Sequence, residues 1–160
     1  MTQAQASLDT THGSGFAGRA RAARIGAGVA LLAMALVVYG AYGDSQASSS
    51  QKSAVPVLLG WVVVAVAIVY GLLAPLAQRS VARQAPAARR WAVGLAVTSV
   101  LSLVIFWSGL PLILGGAAAL VGHEGRSQSP GARAFGAAWW LGLGAGALAV
   151  VVTVLGNTLH

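Results

Sequence analysis

Long uncharged apolar stretches and short polar intervals alternate along the chain, and that alternation predicts its elements. All thirteen Asp, Glu, Lys and Arg residues fall within Asp9–Arg24, Asp44–Lys52, Arg79–Arg90 and Glu124–Arg133. Between them lie Ile25–Gly43, Ala54–Ala77, Trp91–Val121 and Ala134–Gly156, runs of 19, 24, 31 and 23 residues. A helix needs about 20 apolar residues to cross roughly 30 Å of hydrocarbon, so each run can span. The runs lack the two-residue alternation of barrel strands. Backbone polar groups in lipid must be bonded within the segment, which leaves helices. The expected architecture is an all-α polytopic membrane protein, with four transmembrane helices in an antiparallel bundle over residues 24–43, 54–77, 91–121 and 134–156. They form a single membrane domain, 24–157. Residues 1–23, rich in Ser, Thr, Gln and Gly toward the start, read as a disordered cytoplasmic tail.

Two of the runs need a closer look. The first, preceded by Arg19, Arg21 and Arg24, could pass for a secretory signal with Ser45-Gln46-Ala47 as the cleavage site. Its apolar part is longer than a signal core of about 7–15 residues and begins only after residue 24, so it reads as a helix that stays. The third run is too long for a straight span and contains Pro111, which removes a backbone donor and crowds the preceding turn. One reading is a single helix bent near Ser108–Leu112; the other is a shorter helix followed by a re-entrant piece over Leu112–Val121. The bent helix is the expectation.

Small residues recur at steps of three and four, the spacing of one helix face. Gly60, Ala67 and Gly71 mark such a face on the second helix, Gly109 and Gly116 on the third, and Gly142 and Gly146 on the fourth. Close approach of such faces packs helices where lipid supplies no hydrophobic drive between them. These seven residues are the candidate packing positions.

Composition narrows the chemistry. Only 8% of the 160 residues are charged and none is cysteine, which excludes thiolate metal sites, disulfides and thiol catalysis. No uncharged run contains an ionisable Asp, Glu, Lys, Arg or His, the usual mark of a proton- or ion-coupled transporter. His123-Glu124 is the one adjacent pair that looks chemical, but a zincin pattern needs histidine at position 127, which is Ser127. Further metal ligands would have to come from His12, Asp44 or His160, far apart in a four-span topology. The pair reads as a solvated loop, with no catalytic, cofactor or metal site.

The net charge of +7 could suggest nucleic acid, yet the charges are few and sit against the helix ends. Arg19, Arg21, Arg24, Arg79, Arg83, Arg89 and Arg90 read instead as topology determinants that touch anionic lipid headgroups. With four spans, these seven arginines lie on one side and Lys52, Arg126 and Arg133 on the other. That count places both termini in the cytoplasm of a cell membrane. Tyr39, Tyr42, Trp91 and Trp139-Trp140 lie where interfacial anchors belong, the last pair near the outer end of the fourth helix.

In the second half, Ala96-Val-Thr-Ser-Val-Leu-Ser-Leu, Gly109-Leu-Pro, Val121-Gly-His-Glu-Gly-Arg126 and Gly131-Ala-Arg-Ala-Phe-Gly136 resemble a domain of unknown function found in small actinobacterial membrane proteins. The likeness covers residues 96–156. Glu124-Gly125 and Trp139-Trp140 depart from the pattern. The resemblance implies a bacterial membrane hairpin and carries no activity. The expected role is an accessory or structural subunit packing against a membrane complex or against its own copies. The alternative is a passive channel or facilitator for a small solute, bordered by Thr98, Ser102, Gly109 and Gly116.

Overall fold

The computed structural model describes residues 3–43, 48–83, 86–129 and 133–158, without the side chains of residues 3–19, 51, 106 and 107. Its elements are α1 (Gln3–Tyr42), α2 (Ser49–Ile68), a π-helical turn (Val69–Leu73), α3 (Ala74–Ala82), α4 (Ala87–Leu101), a 3-10 stretch (Ser102–Ser108), α5 (Leu110–Gln128) and α6 (Arg133–Thr158). Four stretches are long and apolar enough to cross a membrane: Ala20–Tyr42, Lys52–Ala82, Ala87–Ile105 and Arg133–Thr158.

The first departure from expectation is at the start of the chain. Residues 3–23 continue α1 as helix rather than forming a disordered tail. Helix propagation adds one hydrogen bond per residue once a nucleus exists, and the apolar part of α1 supplies that nucleus.

The second departure is the third run, which is two helices and not one bent helix. The chain leaves α4 through the 3-10 stretch, with Ile105 outside helical geometry (φ −117°, ψ 45°). It turns at Gly109, whose φ of +73° lies in the left-handed region that favours glycine. Pro111 then sits in the first turn of α5, where its missing N–H costs nothing. Proline therefore starts a helix here and kinks none. The freed polar groups are satisfied locally. The Ser102 and Ser108 hydroxyls donate to the carbonyls of Ser99 and Ile105, each at 2.7 Å, and the Leu110 N–H donates to Ser108 Oγ at 3.3 Å. Across the hairpin, the buried Ser99 hydroxyl donates to the Pro111 carbonyl at 3.1 Å.

Contacts between helices fix the direction of each. Along α5, Gly109 lies against Ala33 and Val62, and Gly116 against Val29 and Tyr70. Farther along, Glu124 accepts a hydrogen bond from Gln78. Thus α5 runs antiparallel to α1 and parallel to the α2–α3 rod. On its other side, Gly115 faces Gly142, Gly122 faces Trp139 and Gly125 faces Phe135, so α6 is antiparallel to α5. The α4–α5 hairpin enters from the end that holds Glu124 and turns back beside Ala33. Nine further residues of α1, about 14 Å at 1.5 Å per residue, carry it from Ala33 to Tyr42 beyond that level. Non-helical backbone at membrane depth needs its polar groups bonded; Ser102 and Ser108 take up carbonyls of this stretch, while Val104 and Ile105 turn apolar side chains outward.

The Asn157 side-chain amide donates to the Tyr39 carbonyl at 2.8 Å, joining the C-terminal ends of α6 and α1. Ala20 and Thr158 therefore lie at opposite ends of the bundle, which replaces the expected same-side placement of the termini. All of Arg21, Arg24, Arg79, Arg83, Arg89, Arg90, Arg126 and Arg133 belong to helix turns or loops at the Glu124 end, as does the backbone of Arg19. Lys52, in the first turns of α2, is the one charged side chain at the other end among the described residues. Trp139-Trp140 also lie at the arginine end, with Arg126 stacked 5.1 Å from the Trp139 ring centroid.

The core is centred on α5, which is buried on every side from Pro111 to Gly122 with few breaks. The seven candidate packing positions divide. Gly109, Gly142 and Gly146 are buried, and Gly116 is half-buried against Tyr70. Gly60, Ala67 and Gly71 instead lie on the outer face of the α2–α3 rod, and a Cβ at either glycine would meet nothing within 4 Å. The inner face of the rod is Val55, Val62, Ala65 and Val69, then Tyr70, Ala74, Ala77 and Val81. The π-turn shifts the buried stripe by one residue at Val69–Tyr70; Gly60 and Ala67 precede it and already lie off the face of Val55, Val62, Ala65 and Val69. A Cβ at Gly142 would lie 2.5 Å from the Gly115 carbonyl oxygen. Gly142→Val is therefore expected to destabilise the fold by about 2 kcal/mol or more, and Gly60→Val by under about 0.5 kcal/mol, in thermal unfolding of the detergent-solubilised chain.

Candidate functional site

Glu124, Gln78, Arg21 and His123 lie together at the arginine end. Glu124 does not sit in a solvated loop. It lies on α5, past the apolar stretch that ends at Gly122, and is half-buried against α3. Gln78 Nε2 donates to its Oε1 at 2.9 Å. Burial pushes the Glu124 carboxyl above its ordinary range, because removing water penalises the charged form. The Gln78 hydrogen bond and the nearby charges of Arg21 and His123 oppose that rise without cancelling it. His123, on the next position of α5, is exposed and faces the side of α1.

Beside this cluster a groove opens between α1 and α6, floored by α5, with a volume of about 510 Å³. Arg21 and His123 border one end, and Leu112 and Val150 the other. Its walls are otherwise apolar, with Trp139 the one aromatic ring. A second cavity, of about 360 Å³, lies at the opposite end above the tip of the hairpin. Gly109 and Leu112 form its floor, and Thr153 and Asn157 are its polar members.

The candidate channel face does not form one surface. Thr98 lies in the last turn of α4 and Ser102 opens the 3-10 stretch, whereas Gly109 and Gly116 belong to the turn and to α5. The hydroxyls are engaged with backbone: Thr98 donates to the Gly94 carbonyl at 2.8 Å, and Ser102 to Ser99. Among the described residues no three His, Cys, Asp or Glu side chains come together as metal ligands. Asp44 and His160 lie outside the described residues, as do the His12 side chain and Ser45-Gln46-Ala47.

Two residues were missed in the sequence. Gln78 reads as one more polar residue beside Arg79, and only the return of α5 brings Glu124 to it. Tyr70 reads as part of an apolar run, yet a tyrosine in mid-span, away from either interface, is itself a signal of an interior position. Its ring fills the space left by Gly26, where a Cβ would lie 2.8 Å from Tyr70 Cγ, and its hydroxyl abuts Gly116. That hydroxyl is buried and has no hydrogen-bond partner among the described residues.

No protein-family model, curated protein or solved structure matches the chain. Gly122 closes the continuous buried stretch of α5, His123 after it is exposed, and Gly136 is on α6 with nothing within 4 Å of its Cβ position. Gly131 lies outside the described residues.

The raised carboxyl of Glu124 has a measurable consequence. The folded chain holds this proton more tightly than the unfolded chain does, so stability falls as pH rises from the ordinary value of 4.5 through the higher folded value. Glu124→Gln is expected to flatten that decline while keeping the Gln78 contact. Thermal unfolding in detergent across the acidic and neutral range checks it; an unchanged slope in the variant would assign the decline to another group.

Proposed function

We propose that the protein is a non-catalytic accessory subunit of a membrane assembly, inserted with its arginine end in the cytoplasm. The observation that carries the subunit reading is the outer face of the α2–α3 rod. Gly60, Val64, Ala67 and Gly71 form a small-residue strip at helical spacing, and it is exposed throughout. In the interior the same kind of residue admits a neighbouring helix, as Gly142 does for α5. A second helix, from another subunit or another copy, would meet the outer strip in the same way.

The orientation rests on charge. Grouping the helix ends as the fold does puts nine arginines on one side and Lys52 on the other, a stronger bias than the seven against three of a four-span topology. Lys/Arg bias near span ends sets orientation. The passive-channel reading draws no support from the hydroxyl groups, which are bonded to backbone.

Single cysteines test both parts, because the natural chain has none. A membrane-impermeant reagent is expected to label Ser50→Cys and Asn157→Cys from outside the cell, and Arg83→Cys and Ser127→Cys only after the membrane is opened. Labelling of Asn157→Cys and Ser127→Cys from one side would overturn the orientation. For the subunit reading, Gly60→Cys and Gly71→Cys in intact membranes should cross-link into one discrete adduct, with Leu101→Cys on the α4 surface as the control. Monomer alone from both, or adducts equal to the control, would count against it.

A further inference from the structure

We infer that the groove between α1 and α6 holds one anionic phospholipid of the leaflet at the arginine end, with an acyl chain along α5 and the phosphate at Arg21. Its dimensions fit a leaflet. From His123 to Leu112 the floor spans eleven residues of α5, about 16 Å at 1.5 Å each. Half of a hydrocarbon core of about 30 Å is nearly the same depth. The volume of about 510 Å³ falls within the range of sites that bury most of a ligand, roughly 300–1,000 Å³.

Polarity is arranged along that length as a phospholipid requires. The deep end is apolar, with Leu112, Gly146 and Val150. The mouth carries Arg21 and His123, and the Arg126 guanidinium stacks on Trp139, which itself lines the groove. Glu124 is the acidic neighbour of this mouth, and its carboxylate is engaged by Gln78 on the α3 side. The Arg21 guanidinium therefore lines the groove and that of Arg126 stacks on a ring that lines it, while the nearby Glu124 carboxyl, which feels the charge of Arg21, is bonded to Gln78. Small residues on α5 and α6 keep the floor low: Gly116, Ala119, Gly142 and Gly146 leave room that larger side chains would fill. This inference rests on the membrane reading and not on the accessory role, so failure of one leaves the other standing.

Native mass spectrometry of the full chain in detergent tests it, with dioleoyl phosphatidylglycerol and dioleoyl phosphatidylcholine as probes. The wild type is expected to retain the first phosphatidylglycerol about tenfold more strongly than phosphatidylcholine, the scale set by two basic side chains near one phosphate. Arg21→Gln with Arg126→Gln should bring the two lipids to parity. Arg89→Gln with Arg90→Gln removes equal charge at the same end, outside the groove, and should leave the preference intact. Ala147→Trp, at an exposed groove position on α6, should lower retention of both lipids, with Leu143→Trp as the second filling variant if the first misfolds. Parity in the wild type, equal loss with the Arg89/Arg90 pair, or no effect of filling the groove would each overturn the assignment.

Discussion

Backbone-to-backbone approach of α5 and α6 is the constraint on which the rest of the structure depends. A Cβ on Gly115 or on Gly142 would lie 2.5 Å from the carbonyl oxygen of the other, so neither position accepts a side chain without the helices moving apart. Lipid tails are as apolar as leucine, and helices inside a bilayer gain little from burying apolar area against each other. What holds them is dispersion at short range, and that requires small residues at the crossing. From this contact the register propagates. Trp139 lies over Gly122 and Phe135 over Gly125 toward the arginine end, and Gly146 lies over Leu112 toward the tip of the hairpin.

With α5 enclosed, the α2–α3 rod must present a bulky inner face, and the π-turn at Val69–Leu73 provides it. The Ala74 N–H reaches back to the Val69 carbonyl, one residue farther than in an α-helix. The added residue lets Val69 and Tyr70 both point inward. The tyrosine ring then fills the space opened by Gly26 and Gly116 on two neighbouring helices. Its hydroxyl, without a hydrogen-bond partner among the described residues, is the cost of that fit; a buried polar group left unbonded is worth about 1–3 kcal/mol against stability. Packing of the large ring against two glycines offsets it.

The same arrangement sorts the charges. Because α4 and α5 return to the end from which they started, the segment carrying Arg126 and Arg133 joins the arginines of α1, α3 and α4. The acidic residue in their midst, Glu124, is drawn against α3 by Gln78 rather than spread into solvent. One end of the bundle is thus strongly cationic, and a groove open between α1 and α6 begins there. At the other end, the space above the hairpin tip is lined by no charged residue, with Thr153 and Asn157 as its polar members.

Segment identity was legible in the sequence; segment pairing was not. Clustering of the thirteen charges determined the helical class and four stretches able to span, because hydration of charge and thickness of hydrocarbon act on each segment separately. The buried stripe of α6, through Ala138, Gly142 and Ala145, was also readable, since it follows an uninterrupted helical period. Three things needed the tertiary structure. The reversal at Gly109 was concealed within an uninterrupted apolar run, where a turn and a kink share the same signal, Ser108-Gly109-Leu110-Pro111. The packing face of the α2–α3 rod is the bulkier stripe of Val55, Val62, Ala65 and Val69, continued past the π-turn by Tyr70, so the equally periodic small residues Gly60, Ala67 and Gly71 fell outside. The Glu124–Gln78 pair joins residues 46 positions apart. Each depends on which surfaces meet, and a helix in lipid carries the same local pattern whether its neighbour is another helix or an acyl chain. Only the short-range fit of glycine against backbone decides between them.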